Sequence, residues 1–142
     1  MLKFSAALAF VFLMINAAAA QTVTLLALGD SLTAGYGLQP SDAFPVKLEA
    51  ALIARGHDVK VINGGIAGDT ALDGASRVDW ALTEEVDAVI VEFGANDALR
   101  GLPVPQAEQA LDQLLTKLAE RKLPVLLAGM RAPPNLGPDY QA

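Results

Sequence analysis

The stretch Val23-Thr-Leu-Leu-Ala-Leu-Gly-Asp-Ser-Leu32 decides how the rest of the chain is interpreted. Its first six residues are apolar or β-branched and are followed by Gly29, which is the pattern of a short, buried β-strand that stops abruptly. We therefore expect a strand from Val23 to Leu28, with Ser31 placed where the chain turns away from that strand.

Three further apolar runs have the length and composition of strands. They lie at residues 59–62, 88–91 and 124–128. The run at 88–91 is uninterrupted, which is typical of a parallel strand that is covered on both faces.

A helical pattern separates the first two strand candidates. Phe44, Leu48 and Leu52 fall on one stripe. Pro45 is tolerated in the first turn of such a helix, and Gly56 marks its end.

Two more helical patterns complete an alternation of strands and helices. A weaker one covers about residues 71–83, and the spacing of apolar residues between 107 and 118 predicts a clearly amphipathic helix. This alternation predicts an α/β protein, a flavodoxin-like, three-layer α/β/α domain with a mostly parallel, doubly wound sheet.

The first twenty residues differ in character from the rest. Lys3 supplies a positive charge, residues 6–15 form an uncharged apolar core, and alanines at 18–20 precede Gln21. This arrangement predicts a secretory signal peptide, and the apolar run is short for the alternative, a transmembrane anchor. We expect cleavage after Ala20, a domain of residues 21–142 that is periplasmic or secreted, and no stable membrane span after cleavage.

Charge and composition exclude several classes of partner. Residues 21–142 carry 9 basic and 16 acidic side chains, a net charge of −7, because Lys3 is the only charged residue removed with the signal. An acidic domain repels phosphate backbones, so nucleic acid is not an expected partner. The chain has no cysteine and one histidine, His57, so thiolate and multi-histidine metal sites are excluded.

The chain ends where another helix is expected to begin. After the fourth strand candidate it runs through a loop rich in proline and glycine to Ala142. A sheet of four strands would leave its outermost strand with an unpaired edge. We therefore expect that the last helix and strand of the domain are missing, as they would be in an incomplete gene model.

Polar and glycine-rich residues follow each expected strand. They read Gly-Asp-Ser-Leu at 29–32, Asn-Gly-Gly-Ile-Ala-Gly-Asp at 63–69, Gly-Ala-Asn-Asp at 94–97 and Arg-Ala-Pro at 131–133. Ligands of open parallel sheets bind beyond the carboxyl ends of the strands, and all four segments are expected at that edge.

Three residues at this edge have properties that an acyl-transfer site needs. Ser31 offers a hydroxyl at the turn, Gly68 lets a backbone N–H approach a substrate closely, and Asn96 offers a side-chain amide to a developing oxyanion. Each also has a structural interpretation: an ordinary turn serine, a turn glycine, and an asparagine whose side chain is satisfied locally in an Asx turn.

Three of these segments resemble, in order, the first three sequence blocks of the SGNH (GDSL) hydrolases. The matching residues are Gly-Asp-Ser-Leu at 29–32, Gly-Asp-Thr at 68–70 and Gly-Ala-Asn-Asp at 94–97. The likeness is greatest to the branch of bacterial arylesterases and periplasmic thioesterases and lysophospholipases, whose first block also runs into Ala-Gly-Tyr, here 34–36. The resemblance extends from about Val23 to the end, and three blocks in order are more specific than any single motif.

The resemblance implies hydrolysis of carboxylic esters or thioesters through an acyl-serine intermediate. Ser31 would be the nucleophile, and the oxyanion hole would consist of the Ser31 N–H, the Gly68 N–H and the Asn96 side chain. Ala95 stands where many relatives have glycine, which leaves the Asn96 donor in place. The implied substrates are small acyl esters or thioesters, including aryl esters and lysophospholipids, and neither a metal ion nor an organic cofactor is implied.

The general base that a serine nucleophile requires is missing from this pattern. The family takes it from an Asp-x-x-His block near its C-terminus, and residues 1–142 contain no such block. His57 precedes the second strand and is expected at the opposite edge of the sheet, more than about 15 Å from Ser31. Asp30, Asp69 and Asp97 are interpreted as turn or supporting residues.

Two other classes of function compete with a hydrolase. A non-catalytic binding module on the same scaffold would keep Ser31, Gly68 and Asn96 without a base. A dinucleotide-binding protein fits poorly, because Gly35-Tyr36-Gly37 begins a fingerprint whose final glycine is replaced by Pro40, and the chain has no Gly-Lys-Ser/Thr phosphate loop.

Overall fold

The computed structural model describes residues 21–82, 85–131 and residue 135. The predicted signal peptide lies outside the described residues, as do most of the residues that follow Arg131.

Four parallel strands form one sheet in the order β2-β1-β3-β4. Their bounds are Val23–Gly29 for β1, Val59–Gly65 for β2, Ala88–Glu92 for β3 and Val125–Leu127 for β4. Gly29 pairs in register with Gly65 on one side and with Glu92 on the other. The carboxyl ends of β2, β1 and β3 therefore lie next to one another.

Helices cover both faces of this sheet. Their bounds are Ser31–Ala34 for α1, Phe44–Ala54 for α2, Ala71–Ala81 for α3, Ala95–Leu99 for α4 and Val104–Glu120 for α5, with a short 3-10 turn at Pro40–Asp42. Helices α3 and α5 pack together on one face, and α1 and α2 lie against β2 on the other. The predicted three-layer α/β/α architecture with a parallel, doubly wound sheet is confirmed.

The main core lies between the sheet and the pair α3 and α5. Its buried side chains are Leu26, Leu28, Ala71, Ala75, Val78, Val89, Val91, Phe93, Ala110, Leu114 and Leu118. Three of them recur every fourth residue along α5, as its amphipathic pattern predicts. A capping box fixes the start of α3: the Thr70 hydroxyl accepts from the Asp73 N–H at 3.2 Å, and the Asp73 carboxylate accepts from the Thr70 N–H at 2.9 Å.

The stripe predicted for α2 is less buried than its sequence pattern suggests. Leu48 and Leu52 are half-buried, Phe44 is exposed, and Pro45 is the buried residue of the helix. The reason is the position of α2 over β2, which is an edge strand of the described sheet. Gly56 ends the segment with φ +87°, as predicted for a helix stop.

Two strands differ in length from the prediction by more than one residue. β2 continues from Ile62 to Gly65, because two glycines extend the pairing with β1 beyond the apolar run. β4 is shorter than the predicted 124–128, its side chains are exposed, and within the described residues it pairs only with β3. In the part of the chain that the structure describes, every helix is too short or too polar to span a bilayer.

Candidate active site

Ser31 is the first residue of α1, directly beyond the end of β1. The buried Asp30 caps this helix, and its Oδ1 accepts a hydrogen bond from the Leu32 N–H at 2.9 Å. Ser31 itself is partly exposed. The cap therefore fixes the turn, with Ser31 partly exposed at the edge of the sheet.

Gly65 allows α1 to lie directly on β2. A Cβ at this position would collide with the backbone of Thr33 and Ala34. The Asn63 amide reinforces the contact by donating to the Ala34 carbonyl at 3.3 Å. Because Gly65 has no side chain, the turn that carries Ser31 can lie in close contact with β2.

The Asn96 side chain connects the exits of three strands. It lies in α4, after β3, and its Nδ2 donates to Asp30 Oδ2 at 3.0 Å and to the Asp69 carbonyl at 2.8 Å. These two bonds take both hydrogens of the amide. The partners are distant in sequence, so the locally satisfied Asx turn considered as an alternative for Asn96 is not what forms.

Gly68 adopts the left-handed conformation, with φ +91°. Its carbonyl accepts a hydrogen bond from the Arg100 guanidinium, so it also serves as a turn glycine. Among the described residues, neither the Gly68 N–H nor the Ser31 N–H has a hydrogen-bond partner. Of the three predicted oxyanion donors, two backbone N–H groups are thus unpaired, and the Asn96 amide is engaged.

Arg77 is a residue of this edge that the sequence interpretation missed. Its Nε binds the Asp69 carboxylate at 2.6 Å, its Nη2 donates to the Gly29 carbonyl at 3.0 Å, and its guanidinium lies 5.9 Å from the centre of the Phe93 ring. Arg77 therefore joins the exits of β1 and β2. The sequence offered one indication of this role: Arg77 is a charged residue one helical turn after Gly74, on the apolar stripe of α3.

Glu92 is a second missed residue, at the end of β3. Its Oε2 accepts from the Thr33 hydroxyl at 2.9 Å and from the Asp30 N–H at 3.4 Å. Burial raises the pKa of Glu92; the Asp30 charge adds to the rise, and the hydrogen bond from Thr33 opposes it. The signal in the sequence was a carboxylate directly after an uninterrupted apolar run.

The aspartates interpreted as turn or supporting residues each hold a structural contact. Asp30 caps α1, Asp69 pairs with Arg77, and Asp97 Oδ2 accepts from the Ala71 N–H at the start of α3 at 2.9 Å. Asp97 thereby links the exit of β3 to α3.

His57 lies before β2, at the opposite edge of the sheet from Ser31, and is exposed. The seven residues of β2 separate the two edges. At about 3.3 Å per residue this is a distance of roughly 20 Å, far outside the reach of a serine–histidine hydrogen bond. His57 takes no part in this site.

This edge therefore carries a partly exposed serine, two N–H groups that have no partner among the described residues, and a side-chain amide held by Asp30. In such a set the serine hydroxyl can attack the carbonyl carbon of an acyl group. The N–H donors can then stabilise the negative charge that develops on the carbonyl oxygen. A general base is the further group that acyl transfer needs.

The chain is similar to known proteins over most of its length. Residues 27–142 match the GDSL-like lipase/acylhydrolase family. Esterase TesA of Pseudomonas aeruginosa is 41% identical over 140 residues, 98% of this chain and 68% of that protein. Thioesterase 1/protease 1/lysophospholipase L1 of Escherichia coli is 38% identical over 135 residues, 94% of this chain and 64% of that protein.

A solved structure shows the same fold. The crystal structure of AlinE4, an SGNH-hydrolase family esterase, superposes with a TM-score of 0.81 at 47% identity, covering 85% of this chain and 66% of AlinE4. The chain thus spans about two thirds of the length of the relatives it matches.

Proposed function

Because this chain belongs to the GDSL-like lipase/acylhydrolase family, we propose that it is a hydrolase of carboxylic esters or thioesters that acts through an acyl-serine intermediate on Ser31. The observation that carries the proposal is the bond from Asn96 to Asp30, the residue before Ser31. Relatives named as an esterase and as a thioesterase and lysophospholipase support this range of substrates.

In the proposed reaction, Ser31 Oγ attacks the carbonyl carbon of the acyl group as its proton passes to a general base. The carbonyl oxygen becomes an oxyanion, which the N–H groups of Ser31 and Gly68 and the Asn96 amide stabilise. Collapse of this intermediate expels the alcohol or thiol, which takes up the proton. Water then attacks the acyl-serine by the same route, which releases the acid and restores the hydroxyl.

Asn96 enters this reaction only by exchanging one partner. Its amide donates one hydrogen to the Asp30 carboxylate and the other to the Asp69 carbonyl. The oxyanion would replace the neutral Asp69 carbonyl, since an ionised acceptor forms the stronger hydrogen bond. The bond to the Asp30 carboxylate would remain and hold the amide in place.

The base is part of the same proposal. We expect it from an Asp-x-x-His block of the kind the family uses, because His57 lies at the far edge of the sheet. The test compares residues 21–142 with the same residues joined to the C-terminal segment of AlinE4, using p-nitrophenyl esters. The joined protein should turn over far faster, and its Ser31→Ala variant should lose that gain.

Two outcomes of this test contradict parts of the proposal. Equal turnover with and without the added segment would refute the placement of the base. Binding of acyl esters with no hydrolysis by either protein would instead favour the binding module.

Secretion is proposed on the first twenty residues alone. Expression of the full chain in a bacterial host should yield a periplasmic protein whose N-terminus is Gln21, as read by mass spectrometry of the intact protein. Retention of Met1 in the soluble cell extract would contradict the signal peptide.

A further inference from the structure

A second carboxyl group lies beneath the turn that carries Ser31. Glu92 ends β3 and pairs in register with Gly29. Its Oε2 accepts hydrogen bonds from the Thr33 hydroxyl and the Asp30 N–H, at 2.9 and 3.4 Å. Glu92 therefore contacts the residues on both sides of Ser31, from a neighbouring strand.

The environment of Glu92 is unfavourable for a carboxylate. Its Oε1 is buried and has no hydrogen-bond partner among the described residues. The fully buried Asp30 lies beside it, and burial together with the Asp30 charge raises the pKa of Glu92. Two neighbouring buried carboxyl groups destabilise the folded state. Locally unfavourable arrangements of this kind are typical of functional sites.

Asp30 connects Glu92 both to the turn that carries Ser31 and to the Asn96 amide. Its backbone N–H is held by Glu92, its Oδ1 by the Leu32 N–H, and its Oδ2 by the Asn96 amide. A displacement of Asp30 would therefore move the Ser31 turn and the Asn96 amide relative to each other.

We propose that Glu92 is a positioning residue, which sets the geometry between the Ser31 hydroxyl and the Asn96 amide by holding Thr33 and Asp30 from below. The inference rests on the proposed function for its catalytic meaning. The structural part of the inference, that the position of the Asn96 amide depends on Glu92, holds independently of that function.

Variants of Glu92 and its partner separate positioning from simple packing. Glu92→Gln keeps an acceptor oxygen at the same reach, whereas Glu92→Leu keeps the approximate volume and removes both acceptors. Glu108→Leu, at an exposed position of α5, is the matched control. Thr33→Val removes only the hydroxyl that donates to Glu92. It is the alternative test variant if Glu92→Leu does not fold.

Two quantities are measured on residues 21–142 joined to the C-terminal segment of AlinE4, which is the parent protein of these variants and supplies the expected base: the rate at which a fluorophosphonate labels Ser31, and the NMR signals of the Asn96 side-chain amide. Glu92→Leu should label at least about tenfold more slowly, because a misplacement of 1 Å can cost about 100-fold. It should also shift the Asn96 signals. Thr33→Val should change both in the same direction, and Glu92→Gln should remain close to the parent protein.

The outcomes distinguish this inference from the proposed function. If the parent protein is not labelled at Ser31 but the Asn96 signals shift in Glu92→Leu or Thr33→Val, the proposed function fails and the positioning role stands. If labelling and Asn96 signals are unchanged in folded Glu92→Leu, or in Thr33→Val, the positioning role is overturned. An equal loss in Glu92→Gln and Glu92→Leu would also overturn it, since the acceptor oxygen would then be irrelevant.

Discussion

The side-chain amide of Asn96 donates to the Asp30 carboxylate at 3.0 Å, across 66 residues of sequence. Asp30 caps the helix that starts with Ser31, so this hydrogen bond fixes the serine turn against the exit of β3. The second bond of the amide, to the Asp69 carbonyl, adds the exit of β2. The three sequence blocks thus meet through one side chain.

In the protein joined to the C-terminal segment of AlinE4, replacement of Asn96 by alanine should slow fluorophosphonate labelling of Ser31 by about 100-fold or more, the usual cost of losing one oxyanion donor. The change also removes the Asn96 donor from Oδ2 of the buried Asp30 carboxylate, whose Oδ1 still accepts from the Leu32 N–H, so the free energy of unfolding should fall by about 1–3 kcal/mol. Urea denaturation measures the second effect. Asn135→Ala, at an exposed position, is the control and should change neither the labelling rate nor the stability. An unchanged labelling rate in Asn96→Ala would refute the role of Asn96 as an oxyanion donor.

Gly65→Ala tests the close contact between the serine turn and β2. A Cβ here would meet the backbone of Thr33 and Ala34, which cannot yield as a flexible side chain would. The free energy of unfolding should fall by about 1–3 kcal/mol, as in other overpacked sites, and Ser31 labelling should slow. Gly129→Ala has open space around the added methyl group and should leave both values unchanged. Similar behaviour of the two variants would contradict this packing.

Most of the fold could be predicted from the sequence. The strands and main helices were predictable because their apolar runs and stripes are local patterns, as at Val23–Leu28 and in the stripe of α5. The end of β2 was not, because Gly64 and Gly65 carry no strand pattern and are held by pairing with β1. The exposure of Phe44 was also hidden, since it depends on α2 lying over an edge strand.

For the site, sequence blocks at successive strand exits predicted that the Ser31, Gly68 and Asn96 segments share one edge, because parallel strands align their carboxyl ends. The contacts of Glu92 and Arg77 had no such signal. Glu92 contacts Thr33 and Asp30, 59 and 62 positions away, and Arg77 contacts Gly29, 48 positions away. Such long-range contacts are determined by the register of the assembled sheet.

Asp73→Asn should lower stability in a pH-dependent way. Hydrogen bonds from the Thr70 N–H and hydroxyl hold the pKa of Asp73 below its ordinary value of 3.8. The stabilisation is therefore present above that value and is lost as the pH falls through the lowered folded pKa. Because the carboxylate is largely exposed, the loss at neutral pH should stay below about 1 kcal/mol. Urea denaturation across pH checks this; a difference between parent and variant that grows in acid would contradict it.

Glu92→Gln should show the opposite dependence. A carboxyl group whose folded pKa is raised destabilises the folded state above its ordinary pKa, here 4.5, and the penalty grows as the pH rises through the raised value. The variant should therefore be more stable than the parent protein at neutral pH, and the gain should disappear below pH 4.5. A variant that is less stable at neutral pH, measured by urea denaturation, would show that the Glu92 charge is well compensated.

The crystal structure of residues 21–142 joined to the C-terminal segment of AlinE4, after reaction with a fluorophosphonate, tests most directly whether Ser31, Gly68 and Asn96 act on one acyl group. We expect one covalent adduct, on Ser31, whose phosphonyl oxygen accepts hydrogen bonds from the Ser31 N–H, the Gly68 N–H and an Asn96 amide that has left the Asp69 carbonyl. An unmodified Ser31, or an adduct whose oxygen points away from Gly68 and Asn96, would contradict it.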